Sequence, residues 1–318
     1  MLEEIRATLH SEFSRDETFV LLGQDVGVLG GVYRATEGML DSFPGRVFDT
    51  PLAEGGIVGS AIGLAVGGLK PVVELQFSGF AHQAFHQISQ QLARFRSRSR
   101  GRFGLPVTVR APYGGGLRMP EFHADSIESQ LLNIPGLKVV CPAFPDDAAG
   151  LLRSALRDPD PVFFLEPQRL YRSVRGPASA SSHIVPIGVS HLVKPGSDIV
   201  LIASGPSVHT CLEAAVVLVE MHGVSAGVLD VRTISPLDTE GIVDNVSRVG
   251  RAVVVHEGVR SAGWGAEVAA VLQEELFSSL LMPVRRVCGL DLPYPPGKLE
   301  DYYLPNCEAV VSAAARLE

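Results

Sequence analysis

The chain has 318 residues, 46% of them hydrophobic and 19% charged, a balance that suits a large core in two domains and excludes disorder as the main state. Its formal net charge of −8 is opposite to the basic field that nucleic-acid binders carry, so no nucleic-acid partner is expected. No apolar run reaches the ~18 residues of a membrane span, the amino terminus reads as an acidic amphipathic helix rather than a signal peptide, and Cys141, Cys211, Cys288 and Cys307 lack metal-type spacing. A cytoplasmic protein with no membrane partner is therefore expected.

Residues 1–16 place Leu2, Ile5, Leu9 and Phe13 at helical spacing. Residues 19–23 form a buried strand, and the glycine-rich loop to Gly31 lacks both a phosphate-loop lysine and a dinucleotide fingerprint. A helix is expected over 36–43, stopped by Pro44-Gly45. A strand at 46–49 then ends at Thr50-Pro51, with Glu54 at its mouth and a glycine-rich apolar helix behind it. That arrangement offers a carboxylate to a ligand at the carboxyl end of a parallel sheet. It also fits an acidic residue favoured at any helix start. Gly55, Gly59, Gly63 and Gly67 share one helix face, which implies close packing either within the domain or against another subunit.

The next strand, 71–77, delivers Gln76, Phe77 and Phe80 to the same sheet edge as Glu54. A helix is expected over 80–95, followed by Arg94, Arg96, Arg98, Arg100 and Arg102, which read as a solvated basic loop or an anionic partner surface. A strand at 106–110 leads into a flexible loop with Gly114-Gly115-Gly116. That loop carries His123 ahead of a cap-like Asp125-Ser126-x-Glu128. A lone histidine is usually structural. A hinge before it and carboxylates around it fit an active-site loop better.

A strand at 137–142, a helix at 145–157 and a strand at 161–166 complete an alternating α/β pattern with a parallel sheet. Residues 172–194 read as a looser connection. A smaller α/β unit follows, with strands at 198–203, 225–231, 251–256 and 284–287, helices at 208–222, 239–246 and 265–276, and a Pro-rich tail. No acid–base constellation is legible in it, so it reads as a docking and dimerisation domain. The expected domains are 1–185 and 186–318.

The segments GQDVG, FDTPLAEGGIVGSAIGLAVGG, ELQFSGF, PVTVRAPYGGG, PEFHADSIES, FFLEPQRLYR, LDVRTISPLD and VVVHEG occur in this order over essentially the whole chain. In this the chain resembles the beta subunit of thiamine-diphosphate-dependent 2-oxo acid dehydrogenases, the decarboxylating first components of the pyruvate and branched-chain complexes. The resemblance implies a transketolase-like pyrimidine-binding domain followed by a carboxyl-terminal domain. It also implies an alpha subunit, in a heterotetramer of two alpha and two beta chains, that holds magnesium and the diphosphate through a Gly-Asp-Gly motif absent here. A lipoyl-bearing acyltransferase component would receive the acyl group.

Residue by residue, the resemblance makes Glu54 the catalytic carboxylate against the pyrimidine of the cofactor. Gln76 and Phe80 line the pyrimidine pocket, and His123 is the catalytic loop histidine of acyl transfer. Thr108, Ala155, Asp158 and Asp160 lie where some members hold a structural potassium ion, a hard cation suited to oxygen ligands. Gln24 and His86 stand where the family usually has Glu and Asp, acids that line a channel between two cofactor sites with Glu166. The expected consequence is weakened or re-tuned communication between the sites, unless acids of the alpha chain compensate.

The sequence favours a branched-chain 2-oxo acid as substrate, from residues 164–172 and 288–300, with pyruvate or acetoin as the alternative. A diverged, non-catalytic scaffold chain is a reading of another class. Loss of Glu54 or His123 would favour it, and both are present.

Overall fold

The computed structural model describes residues 1–315; the last three residues expected in the second domain, 316–318, lie outside the described residues. The first half alternates strands with helices. Its strands are β1 (Phe19–Gly23), β2 (Val47–Asp49), β3 (Lys70–Glu74), β4 (Thr108–Tyr113), β5 (Lys138–Val140) and β6 (Val162–Pro167). Its helices are α1 (Leu2–Arg15), α2 (Met39–Ser42), α3 (Glu54–Val66), α4 (Phe95–Arg98), α5 (Glu128–Leu132), α6 (Pro145–Arg157) and α7 (Leu170–Ser173).

The second half adds β7 (His191–Lys194), β8 (Ile199–Ala203), α8 (Pro206–His222), β9 (Ala226–Asp230), β10 (Thr233–Ser235), α9 (Thr239–Ser247), β11 (Ala252–Val259), α10 (Trp264–Leu276), β12 (Arg285–Gly289), α11 (Glu300–Tyr303) and α12 (Cys307–Ala314).

Two sheets result. One has the order β10-β5-β6-β4-β3-β1-β2, and its first-half strands all pair parallel. The other has the order β12-β11-β8-β9-β7, parallel except for the edge strand β7. β1, β4, β6, β8 and β9 are buried along their whole length. Parallel strands covered on both faces read as continuous apolar runs, which is why the sequence shows them so clearly. On one face Leu2, Ile5, Leu9 and Phe13 of α1 pack with Ala148, Leu151 and Leu152 of α6, and Arg157 of α6 holds the buried Glu12 of α1 at 2.6 Å. On the other face α3 lies over β3.

Four expectations need correction. The helix expected over 36–43 is only the single turn α2. Thr36 instead ties the loop, its hydroxyl donating to the Val26 carbonyl at 2.7 Å. The helix expected over 80–95 is a 3₁₀ segment (Ser78–Ala84), then a π-helical segment (Gln87–Leu92), then α4. Residues 172–194 are not all connection, because β7 closes one edge of the second sheet. The strand expected over 225–231 is followed by a separate one, β10, which crosses to the first sheet and pairs antiparallel with β5.

The centre of the first sheet carries a buried charge cluster. Arg110 on β4 lies between Glu74 of β3, at 2.9 Å, and Glu166 of β6, at 2.7 Å. The Tyr171 hydroxyl donates to the other Glu166 oxygen. Burial pushes Glu74 up to about 7, against the pull of the Arg110 guanidinium. Two acids against one base, all enclosed, make the base indispensable. Arg110→Met is expected to cost about 3–5 kcal/mol, as loss of one partner from a buried ion cluster does. Urea denaturation checks this, and adding Glu74→Gln to Arg110→Met is expected to recover part of the loss.

Candidate active site

The carboxyl ends of β1, β2 and β3 lie side by side, with Gly23 opposite both Asp49 and Glu74. Chain leaving these ends supplies the site. After β1, Asp49 accepts the N–H groups of Gly27 and Val28, at 2.6 and 3.2 Å, and so shapes the glycine loop. After β2 the chain enters α3 directly, so Glu54 is its first residue, and it is buried. Glu54 Oε2 has no hydrogen-bond partner, nor do the buried Thr50 Oγ1 and Gln87 Oε1. A buried carboxylate oxygen left unpaired is costly in a finished structure. At the sheet edge such an oxygen is able to take a donor from outside the chain.

After β3, Gln76 Nε2 donates to Asp25 Oδ2 at 3.3 Å, and both line a cavity of about 210 Å³ with Leu29, Gly31, Val32 and Arg34. The 3₁₀ segment packs against α3 on one side. On the other side it meets the His123 loop: Ser78 Oγ donates to the Asp125 carbonyl at 2.8 Å, and a Cβ on Gly79 would overlap the Phe122 carbonyl. The His123 ring lies 4.5 Å from Phe77 and 5.2 Å from Phe80, centroid to centroid. Its Nδ1 is 2.8 Å from the Glu121 carbonyl. A carbonyl only accepts, so Nδ1 carries a proton in this contact.

Phe80 and His123 are thus in contact, and Gln76 opens on a cavity at the same sheet edge. Glu54 stands at the start of α3, which packs against the 3₁₀ segment that carries Phe80. Gln168, to which the sequence reading gave no role, joins the site to its surroundings. Its Oε1 accepts the Tyr33 hydroxyl at 2.5 Å, and its Nε2 donates to the Gly114 and His123 carbonyls. It therefore fixes the loop at the base and at the histidine. The only sequence signal was a polar residue directly after an apolar strand.

The second half also reaches the site, contrary to its reading as a docking domain without an acid constellation. Glu257 and Glu300 are buried, and both accept N–H groups of the glycine hinge. The larger cleft, about 1000 Å³, lies elsewhere. Residues of both halves line it, Ser129, Pro236 and Glu267 among them, but not Glu54, Gln76 or His123.

The expected cation ligands are close together and partly spoken for. Thr108 Oγ1 donates to the Ala155 carbonyl at 3.2 Å, Lys138 Nζ lies 2.7 and 2.6 Å from the two Asp158 oxygens, and Arg96 pairs with Asp160 at 2.5 Å. Of the residues expected along a channel between sites, Gln24 is half-buried, His86 is exposed and accepts from Gln91 at 3.2 Å, and Glu166 is enclosed with Arg110.

Residues 1–174 match the family described as the transketolase pyrimidine-binding domain, and residues 188–310 match the transketolase C-terminal domain. A 3-methyl-2-oxobutanoate dehydrogenase subunit beta of Mycobacterium tuberculosis (strain CDC 1551 / Oshkosh) is 45% identical over 318 residues, 100% of this chain and 91% of that one. A pyruvate dehydrogenase E1 component subunit beta of Bacillus subtilis (strain 168) is also 45% identical, over 100% of this chain and 98% of that one.

The chain belongs to the beta subunits of the thiamine-diphosphate-dependent 2-oxo acid dehydrogenases.

The fold agrees. A solved structure described as a split-gene transketolase, an inactive beta4 tetramer, superposes with a TM-score of 0.81 at 25% identity, covering 99% of this chain and 96% of that one. Among the described residues of this beta subunit, no helix is long and apolar enough to cross a membrane.

Beside the hinge of this beta subunit, Glu128 Oε2 is buried without a partner. Burial pushes this carboxyl from 4.5 up to about 7, and the neighbouring Glu257 adds to the rise. The folded chain keeps a proton that the unfolded chain releases. The stabilising contribution is therefore complete below 4.5 and is lost as the pH rises through about 7. Between about pH 5 and about pH 8 the wild type is expected to lose about 1–3 kcal/mol that Glu128→Gln retains. Denaturation midpoints of the two proteins across that range check this.

Proposed function

We propose that this chain is the half of a 2-oxo acid dehydrogenase that binds the aminopyrimidine end of thiamine diphosphate, and that it works with an alpha subunit in a two-alpha, two-beta assembly. The observation that carries the reading is Glu54: a buried carboxyl at a strand-to-helix junction, one oxygen unpaired, in a chain of this family. That oxygen would hold the pyrimidine ring nitrogen and share its proton. Phe80 would offer a ring face and Gln76 an amide beside it. When bound, thiamine diphosphate supplies the thiazolium that accepts the electrons freed by decarboxylation. His123, with Nε2 free, would handle the proton of acyl transfer to a lipoyl-bearing acyltransferase.

Magnesium and the diphosphate would be held by the alpha chain, a reading supported by the lack of a Gly-Asp-Gly motif here. Gly59 and Gly63 on α3 are exposed, and a Cβ on Gly63 would meet nothing, which suits that face to another subunit rather than to this chain's own core. We place the domain division at 1–185 and 186–318, in line with the matched ranges 1–174 and 188–310. Residue differences at Gln24 and His86 would re-tune communication between the two sites of the assembly. For substrate we propose a branched-chain 2-oxo acid. Pyruvate is the second reading, because a pyruvate dehydrogenase subunit is equally similar.

In the assembled enzyme, Glu54→Gln is expected to lower kcat by about 100-fold or more while thiamine diphosphate still binds. Activity at the wild-type rate would show that Glu54 has no catalytic part. A panel of pyruvate, 2-oxoisovalerate, 2-oxoisocaproate and acetoin settles the substrate.

A potassium ion would take the Ala155 carbonyl and Thr108 hydroxyl oxygens and would compete with Lys138 and Arg96 for Asp158 and Asp160. We infer that Lys138 already does most of that work. Exchanging potassium for sodium is expected to leave the melting temperature of the wild type unchanged and to shift that of Lys138→Met; a potassium-dependent wild type would show that the ion is structural.

A further inference from the structure

We propose that Glu257 and Glu300, from the second half of the chain, are positioning residues that hold the glycine hinge of the His123 loop through its backbone. The Gly115 N–H donates to Glu257 Oε2 at 2.9 Å. The Gly116 and Arg118 N–H groups donate to the two oxygens of Glu300, at 3.2 and 2.9 Å. Three backbone donors within four residues thus end on two carboxylates that come from β11 and α11. Glu257 is 3% exposed and Glu300 2% exposed, so water competes little for these bonds, and bonds to a carboxylate are stronger than neutral ones.

Each carboxylate is held in its turn. The Tyr294 hydroxyl donates to Glu300 Oε2 at 2.6 Å, and Arg169 Nη2 pairs by charge with Glu257 Oε1 at 3.0 Å without hydrogen-bond geometry. The hinge needs this restraint. Gly114 and Gly116 have φ of 84° and 96°, and even Arg118 has a φ of 53°. Glycines reach such conformations freely and lose much entropy when fixed in one. The absence of a side chain at Gly115 matters sterically as well, since a Cβ there would overlap the Tyr294 hydroxyl. The second half therefore contacts the loop where only backbone can fit.

Gln168 also ties the same loop, at the Gly114 carbonyl beside the hinge and at the His123 carbonyl at the far end. With both ends tied, the histidine keeps its place against Phe77 and Phe80. Untied at the hinge, the loop would sample other positions, and the step that needs His123 would slow. The catalytic consequence rests on the assignment of His123 to acyl transfer; the clamp itself does not.

The test uses the assembled alpha and beta chains, with two readouts for wild type, Glu300→Gln, Tyr294→Phe and His123→Ala. Glutamine keeps one acceptor oxygen and loses the other, so it can serve only one of the two hinge donors. Hydrogen exchange of the 114–123 segment is expected to speed up about ten- to a hundredfold in Glu300→Gln, with the strands of both sheets at wild-type rates. Acyl transfer to a lipoyl domain is expected to fall by about tenfold or more, while decarboxylation measured with an artificial electron acceptor stays as in wild type. Tyr294→Phe, which removes one hydroxyl, is expected to move both readouts the same way by less and stands in if Glu300→Gln does not fold.

Unchanged exchange at the hinge in both variants overturns the clamp. Faster exchange with acyl transfer at the wild-type rate overturns the positioning role. Acyl transfer that survives His123→Ala shows instead that the assignment of His123 fails, and exchange alone then decides the clamp.

Discussion

Arg110 is the interaction on which the site depends. It joins Glu74 on β3 to Glu166 on β6 across its own strand β4, inside a sheet with both faces covered. Each of these three strands feeds the site at its carboxyl end. Gln76 and the segment of Phe80 follow β3, the glycine hinge and His123 follow β4, and Gln168 follows β6. A buried ion cluster adds little net stability compared with a well-packed apolar core. Here it ties together β3, β4 and β6, the three adjacent strands whose outgoing loops build the site.

The two halves of the chain contribute differently. The first carries the residues proposed for the chemistry, Glu54, Gln76, Phe80 and His123. The second supplies restraint, through Glu257 and Glu300 on the hinge and through β10, which extends the first sheet beside β5. The site is also incomplete as it stands. Glu54 Oε2 lacks a donor, and Leu52, two residues before it, and Val28 on the glycine loop after β1 are 60% and 80% exposed. Unpaired polar atoms beside uncovered apolar ones fit a surface that a cofactor and another subunit complete.

What was legible in the sequence follows from range. The strands of the first sheet announce themselves because burial on both faces makes them continuous apolar runs, as in Val162–Pro167. Glu54, Gln76, Phe80 and His123 stood out because each follows such a strand closely or sits on a loop with a glycine hinge. β10 was hidden because it is short and its partner β5 lies far away in sequence. The buried Asp230 turns the chain into it by accepting the Arg232 N–H at 2.9 Å. The parts played by Glu257 and Glu300 could not be read either, since their partners are backbone groups 142 and 184 residues distant. The helix expected over 80–95 breaks into 3₁₀, π and α segments, the first two packed against α3, a contact between elements that local sequence does not reveal.

The most direct measurement is the crystal structure of the assembled alpha and beta chains with thiamine diphosphate bound. The pyrimidine ring nitrogen is expected about 2.7 Å from Glu54 Oε2, with Phe80 against the ring and the diphosphate on the alpha chain. A pyrimidine bound elsewhere, with Glu54 Oε2 satisfied by a protein group instead, would contradict the assignment of this carboxylate to the cofactor.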